Sequence, residues 1–311
     1  MENIQNILKT CIKTDCREVE SMKILVTGVK GQLGYDVVLE GERRGLQMFG
    51  TDVDNMDITN ATQVREVIEG YQPDAVIHCA AYTAVDAAED NVELCHKINV
   101  DGTRYIAEVC KDMNVPMMYF STDYVFDGQG ENFRKEDDEK SPLNVYGKSK
   151  YDGELAVQEL VKKHFILRIS WVFGLNGNNF IKTMLRVGPQ RGEVGVVADQ
   201  IGSPTYTYDL AKLVIDMIQT NKYGVYHVTN SDTCSWYEFA CEIFKQASLD
   251  VKVNPLTTAE YPVKAKRPYN SRLAKDKLIN AGFETLPSWQ NALERYLKTY
   301  NEKVQNIEKN I

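Results

Sequence analysis

Short apolar runs, each closed by glycine or a polar cluster, alternate with amphipathic stretches through the first half of this chain. Residues 23–27 (Lys-Ile-Leu-Val-Thr) are rich in β-formers and run straight into Gly28, which predicts a first strand. Similar runs at 46–51, 73–81, 116–120 and 164–170 predict four more. The stretches between them carry helical patterns: residues 32–44, a helix capped near Thr59 or Asn60, a long helix over 92–114, and one opening at Ser141. Ser141-Pro142 supplies a hydroxyl cap followed by proline at the first helical position. Strand and helix thus alternate five times, which predicts an α/β fold with a doubly wound parallel sheet of the Rossmann type.

After Trp171 the rhythm breaks into Gly/Asn-rich loops, short strand signals including 223–229, a capping box at Ser235–Glu238 and a final helix over about 287–303. The division expected is a tail over residues 1–21, a dinucleotide-binding domain over 22–171, and a smaller, irregular α/β substrate-binding lobe over 172–311. Some of that last segment has room to return to the first domain.

Composition narrows the function classes. Of 311 residues, 43% are hydrophobic and 26% charged, ordinary values for a globular chain. A net charge of −8 with no basic run argues against nucleic acid as partner. No apolar run is long enough to span a membrane, and residues 1–21 lack a signal-peptide core. Seven cysteines (11, 16, 79, 95, 110, 234 and 241) form no C-x-x-C pair. That scatter reads as reduced thiols in a cytoplasmic protein, with no metal site.

Gly28-x-x-Gly31-x-x-Gly34 sits between strand and helix, the context in which a backbone turn cradles a pyrophosphate. Asp52 lies about 20 residues on, where ribose hydroxyls of a dinucleotide are expected; its charge favours NADH over NADPH. Ala80 and Ala81 end the third strand with small side chains that leave room for a flat ligand. His78, just before them, reads as a core histidine. Tyr146 and Lys150 are four residues apart, so they leave one helical face. An ammonium close to a phenol favours the phenolate and would lower the tyrosine pKa, tuning it for proton transfer.

Taken together, the glycine loop, Asn99 and Tyr146-x-x-x-Lys150 resemble the extended short-chain dehydrogenase/reductase superfamily. Within it, Ser121-Thr122-Asp123-Tyr124-Val125-Phe126-Asp127-Gly128, residues 80–86, 141–147, 177–180 and 267–273 resemble the dTDP-4-dehydrorhamnose reductase family. The resemblance implies reduction of a nucleotide-linked 4-ketosugar by NADH or NADPH in a monomer or homodimer. It makes Tyr146 the general acid, Lys150 the holder of the nicotinamide ribose, and Thr122 a hydroxyl donor to the same oxygen. It sets Gly28, Gly31, Gln32 and Leu33 on the pyrophosphate, Asp52 on the adenosine ribose, and Asp57 and Ile58 by the adenine. Ala80, Ala81, Tyr82, Thr83 and Asn99 complete the cofactor set, and Asp123 and Trp171 contact the sugar nucleotide. Two alternatives stand beside it: another extended reductase, epimerase or dehydratase of nucleotide sugars, and a non-catalytic regulatory subunit like that of methionine adenosyltransferase.

Overall fold

Apolar residues alternate across the strands so that each strand feeds two separate cores. The computed structural model describes residues 21–308; the tail expected over 1–21 therefore lies, but for Ser21, outside the described residues. Strands β1 (Lys23–Thr27), β2 (Gln47–Thr51), β3 (Ala75–His78), β4 (Met117–Thr122), β5 (His164–Ile169) and β6 (Gly224–His227) form one sheet, ordered β6-β5-β4-β3-β1-β2. Every pairing in it is parallel. Ile24, Val26, Met118, Phe120, Phe165 and Leu167 face one side and pack with α1 (Gln32–Arg43) and a helix at Thr207–Ile218. Leu25, Val76, Met117, Tyr119 and Ile166 face the other, against α2 (Ala61–Tyr71), α3 (Thr103–Met113) and α4 (Val145–Leu160). Burial on both faces is why these strands read as continuous apolar runs.

The strand order reverses between β1 and β3, and the crevice at their carboxyl ends is where doubly wound folds take ligands. The remaining chain builds a second core from Phe173, Ile181, Tyr206, Phe239, Trp289 and Tyr296. It includes a parallel pair, Glu193–Val197 with Lys252–Leu256, and helices at Phe180–Arg191, Trp236–Gln246 and Trp289–Glu308. Ser235 and Glu238 form the expected capping box. No helix among the described residues is long and apolar enough to cross a membrane.

Two helices differ from expectation. α4 starts at Val145, not at Ser141: the cap is Asn144, whose side chain accepts from the Gly147 N–H at 2.7 Å. Ser141 is diverted by the loop before it, its N–H donating to the Val125 carbonyl. The long helix over 92–114 is broken into Val92–His96, a π-helical turn at Lys97–Gly102, and α3. Asn99 sits in that π turn, a distortion that recurs at functional sites.

Candidate active site

The glycine loop is shaped by close approach. Gly28 has φ +69°, and a Cβ there would lie 2.7 Å from the Ala80 backbone. A Cβ on Gly34 would collide with the Gly28 carbonyl. Gly31 caps α1 without a side chain, leaving the first helical N–H groups facing the crevice. Asp52, at the end of β2, accepts from the backbone N–H of Lys30 and of Val53, each at 2.9 Å. The Lys30 ammonium itself pairs with Asp54 at 2.7 Å. Gly28, Asp52, Asp57, Ile58, Ala80 and Ala81 line a cavity of about 160 Å³.

Ala81 also belongs to a second cavity of about 420 Å³, so the two meet there. Gln32, Leu33, Thr83, Thr122, Asp123, Tyr146, Lys150 and Trp171 all line it. Three expected residues line neither: Gly31, Tyr82 and Asn99. The Asn99 amide accepts from the Tyr82 N–H at 2.7 Å and donates to the Tyr82 carbonyl and to Ser149. It holds the 80–83 loop in place and lines neither of these two cavities. His78 lies in the core between the hydroxyls of Thr27 (2.7 Å) and Thr103 (3.1 Å), and burial pushes it down to about 3.

α4 carries the central pair. Tyr146 packs edge-on against Tyr124, with ring centroids 5.7 Å apart. Its ring is half-buried but its hydroxyl lies deep, and burial, seconded by the Asp123 charge, holds the phenol above its ordinary range. This reverses the expected direction. The cause is that desolvation penalises a phenolate more than the nearby Thr122 hydroxyl favours it. The proton stays on Tyr146 at neutral pH.

Lys150 is 3% exposed, its Nζ 4.1 Å above the Tyr119 ring, and burial brings it down to about 7 while Glu154 pulls it back up. Glu154, one turn further along α4, meets Arg168 of β5 in a fully buried bidentate pair at 2.9 and 2.7 Å. That pair fixes α4 to the sheet just behind Lys150.

Trp236 and Asn176 join the site without a local sequence signal, beside residues that the sequence did point to. Trp171, in a left-handed backbone conformation (φ +51°), stacks on Trp236 at 3.7 Å and 12°. Trp236 lines the same cavity from 65 residues further on. Gln32 is fixed by the Gly174 N–H at 2.8 Å and by Asn179, and Asn176 braces the Lys30 carbonyl at 2.8 Å. Ser271 donates to the buried carboxylate of Asp123. A fixed bond to Gln32 joins residues far apart in sequence, so only the folded chain reveals it.

A nicotinamide dinucleotide fits these residues. The glycine backbone tolerates no Cβ at the close approach to Ala80. On the wall of the larger cavity, the Ser121 hydroxyl is buried without a hydrogen-bond partner among the described residues. A phenol, a hydroxyl and an ammonium on one wall can deliver a proton and stabilise a developing oxyanion.

Comparison with known proteins agrees in extent and kind. Residues 22–302 match the family model described as the RmlD substrate binding domain. A dTDP-4-dehydrorhamnose reductase of Aggregatibacter actinomycetemcomitans is 43% identical over 90% of this chain and 99% of that protein. The spore coat polysaccharide biosynthesis protein SpsK of Bacillus subtilis is 40% identical, covering 89% of this chain and 97% of its own. The crystal structure of dTDP-4-dehydrorhamnose reductase from Bacillus anthracis, in complex with NADP, superposes with a TM-score of 0.88 at 43% identity. It spans 90% of this chain and 99% of that one.

Proposed function

The chain belongs to the RmlD family of dTDP-4-dehydrorhamnose reductases, and we propose that it reduces the 4-keto group of dTDP-4-dehydro-β-L-rhamnose to dTDP-β-L-rhamnose. One observation carries the reading: Thr122, Tyr146, Lys150 and Trp171 share a cavity that opens at Ala81 onto the glycine-loop crevice. NAD(P)H supplies the hydride when bound. Tyr146 donates its proton to the oxygen that becomes the hydroxyl, and a phenol kept protonated by burial suits that task. Thr122 offers a second hydrogen bond to that oxygen. Lys150 holds ribose hydroxyls and offsets the charge left on Tyr146. Gly28, Gly31, Gln32 and Leu33 receive the pyrophosphate, Asp52 the adenosine ribose, Asp57 and Ile58 the adenine. Ala80 to Thr83, held by Asn99, border the middle of the cofactor; Asp123 and Trp171 meet the sugar nucleotide, with Trp236 behind.

The direct test mixes the protein with dTDP-4-dehydrorhamnose and either reduced dinucleotide and follows loss of nicotinamide absorbance, with dTDP-rhamnose identified as product. Turnover of a different nucleotide 4-ketosugar and none of this one would overturn the assignment. Cys79, Cys95, Cys110, Cys234 and Cys241 are free thiols, which supports a cytoplasmic location.

NADH is the slightly favoured cofactor, because the Asp52 carboxylate would repel a 2′-phosphate. Asp52→Ala should raise the NADPH-to-NADH ratio of kcat/KM by about one to two orders of magnitude, ~1.4 kcal/mol per tenfold. An unchanged ratio would move the discrimination to Lys30 and Asp54. Lys150 predicts a pH effect of definite sign. A lysine brought down to about 7 is charged only below that pH, so its hold on the ribose fades above it. KM for the dinucleotide should then climb by about tenfold per pH unit, and a flat KM would remove Lys150 from that contact.

A further inference from the structure

Asp123 is a buried carboxylate, 4% exposed, that the reduction does not by itself require. Both its oxygens are engaged by hydroxyls. Thr122 Oγ1 donates to Oδ1 at 3.1 Å, and Ser271 Oγ, arriving from the other lobe, donates to Oδ2. No lysine or arginine hydrogen-bonds it among the described residues. The titratable groups around it are Tyr124 on its own turn and Tyr146 from α4. Beyond Tyr124 lies Arg267, held by Asp86 at 2.6 Å.

A threonine hydroxyl has a single proton to give. While Thr122 donates to Asp123, that proton is not available to a carbonyl oxygen in the cavity. Thr122 Oγ1 also accepts from the Tyr124 N–H at 3.2 Å, so its position is fixed and only its proton can turn.

Resting on the reduction proposed above, we propose that Asp123 is a positioning residue that sets the direction of the Thr122 hydroxyl. Ionised, Asp123 draws the Thr122 proton onto Oδ1. Protonated on Oδ1, it donates to Thr122 Oγ1 instead, and the Thr122 O–H swings to the substrate oxygen. No bond to carbon changes: Asp123 takes up one proton from solvent, one hydrogen bond reverses and another forms. Ser271 keeps donating to Oδ2 in both states, so it favours the ionised one. Burial works against that and raises the carboxyl to about 6, within reach of ordinary assay conditions.

The test is the pH dependence of kcat/KM for the sugar nucleotide at saturating dinucleotide, which removes the effect of Lys150 on dinucleotide binding; its effect on Tyr146 is a separate limb near pH 7, common to every variant. Wild type should lose activity on a limb near pH 6 as Asp123 ionises. Ser271→Ala removes a donor to the ionised form and should move the limb to higher pH. Asp123→Asn should abolish the limb at whatever plateau remains, because an amide donates to Thr122 at every pH. Thr122→Val should abolish it too, with a lower plateau. A limb near pH 6 that survives Asp123→Asn, or stays put in Ser271→Ala, overturns the proposal. An independent readout is ¹³C NMR of protein labelled at aspartate carboxyls. The resonance missing in Asp123→Asn should titrate above the usual carboxylate range and shift upward in Ser271→Ala; a resonance titrating in the usual range overturns the proposal as well. Failure to reduce any 4-ketosugar would instead defeat the reduction itself, and the NMR titration would still decide the state of Asp123.

Discussion

Tyr146→Phe should lower kcat by about 10²–10⁴ while leaving the melting temperature nearly unchanged. The ring would still meet Tyr124 edge-on, so little packing is lost. What goes is the phenolic proton that α4 places in the cavity with Thr122 and Lys150. Because burial keeps that proton in place at neutral pH, turnover should not fall through tyrosine ionisation on the alkaline side. Loss above neutral pH belongs to Lys150, and the limb near pH 6 to Asp123. The check is single-turnover reduction by the variant after circular dichroism establishes its fold. Near-normal kcat would dismiss Tyr146 as the acid, whatever the family.

The second large effect is on stability. Glu154→Ala would leave the Arg168 guanidinium, 1% exposed, without its carboxylate. Breaking a buried pair from one side costs roughly 3–5 kcal/mol, since the charge that remains cannot reach water. For a chain of this size that corresponds to a fall in Tm on the order of 10 °C. Arg168 keeps the Glu136 carbonyl at 2.9 Å and His227 Nε2 at 3.3 Å, neutral partners that do not replace two charge-assisted bonds. Replacing both partners by Met should recover much of the loss, as an apolar pair needs no solvation. Thermal melts of the three proteins decide it. A Glu154→Ala protein that melts within a degree or two of wild type would mean that α4 is held by its apolar contacts alone.

The strands and the glycine turn were legible because their signals are local. Residues 23–34 contain both the apolar run and the glycines that the turn demands, and neither depends on distant partners. The start of α4 was not local. Ser141 and Asn144 are both good caps, and the choice falls to Asn144 because its amide reaches the Lys266 carbonyl and Glu89 accepts from the Val145 N–H. The π turn at Lys97–Gly102 also escapes a 3.6-residue pattern, since one extra residue shifts the periodicity only slightly. The direction of the Tyr146 shift was misread for the same reason. Helical spacing places Lys150 on the right face, but depth belongs to the whole fold, and depth decides the proton. Trp236 lines the cavity and Ser271 reaches Asp123 from far along the chain, so no window of sequence around Tyr146 contains them.

The sixth strand has a bearing on how this protein can be made and divided. β6 lies beside β5 although the helices at Phe180–Arg191 and Thr207–Ile218, and the strand at Glu193–Val197 between them, separate the two in sequence. During synthesis, β5 therefore emerges as a bare sheet edge and stays one until Gly224–His227 leaves the ribosome. Such an edge, Phe-Ile-Leu-Arg-Ile with apolar faces, invites pairing between neighbouring chains. A fragment ending near Trp171 would hold the glycine loop, Tyr146 and Lys150, yet it would carry this open edge permanently. It should be expected to aggregate, and the nucleotide-binding half cannot be cut out as a working module by stopping where the regular alternation of strands and helices stops.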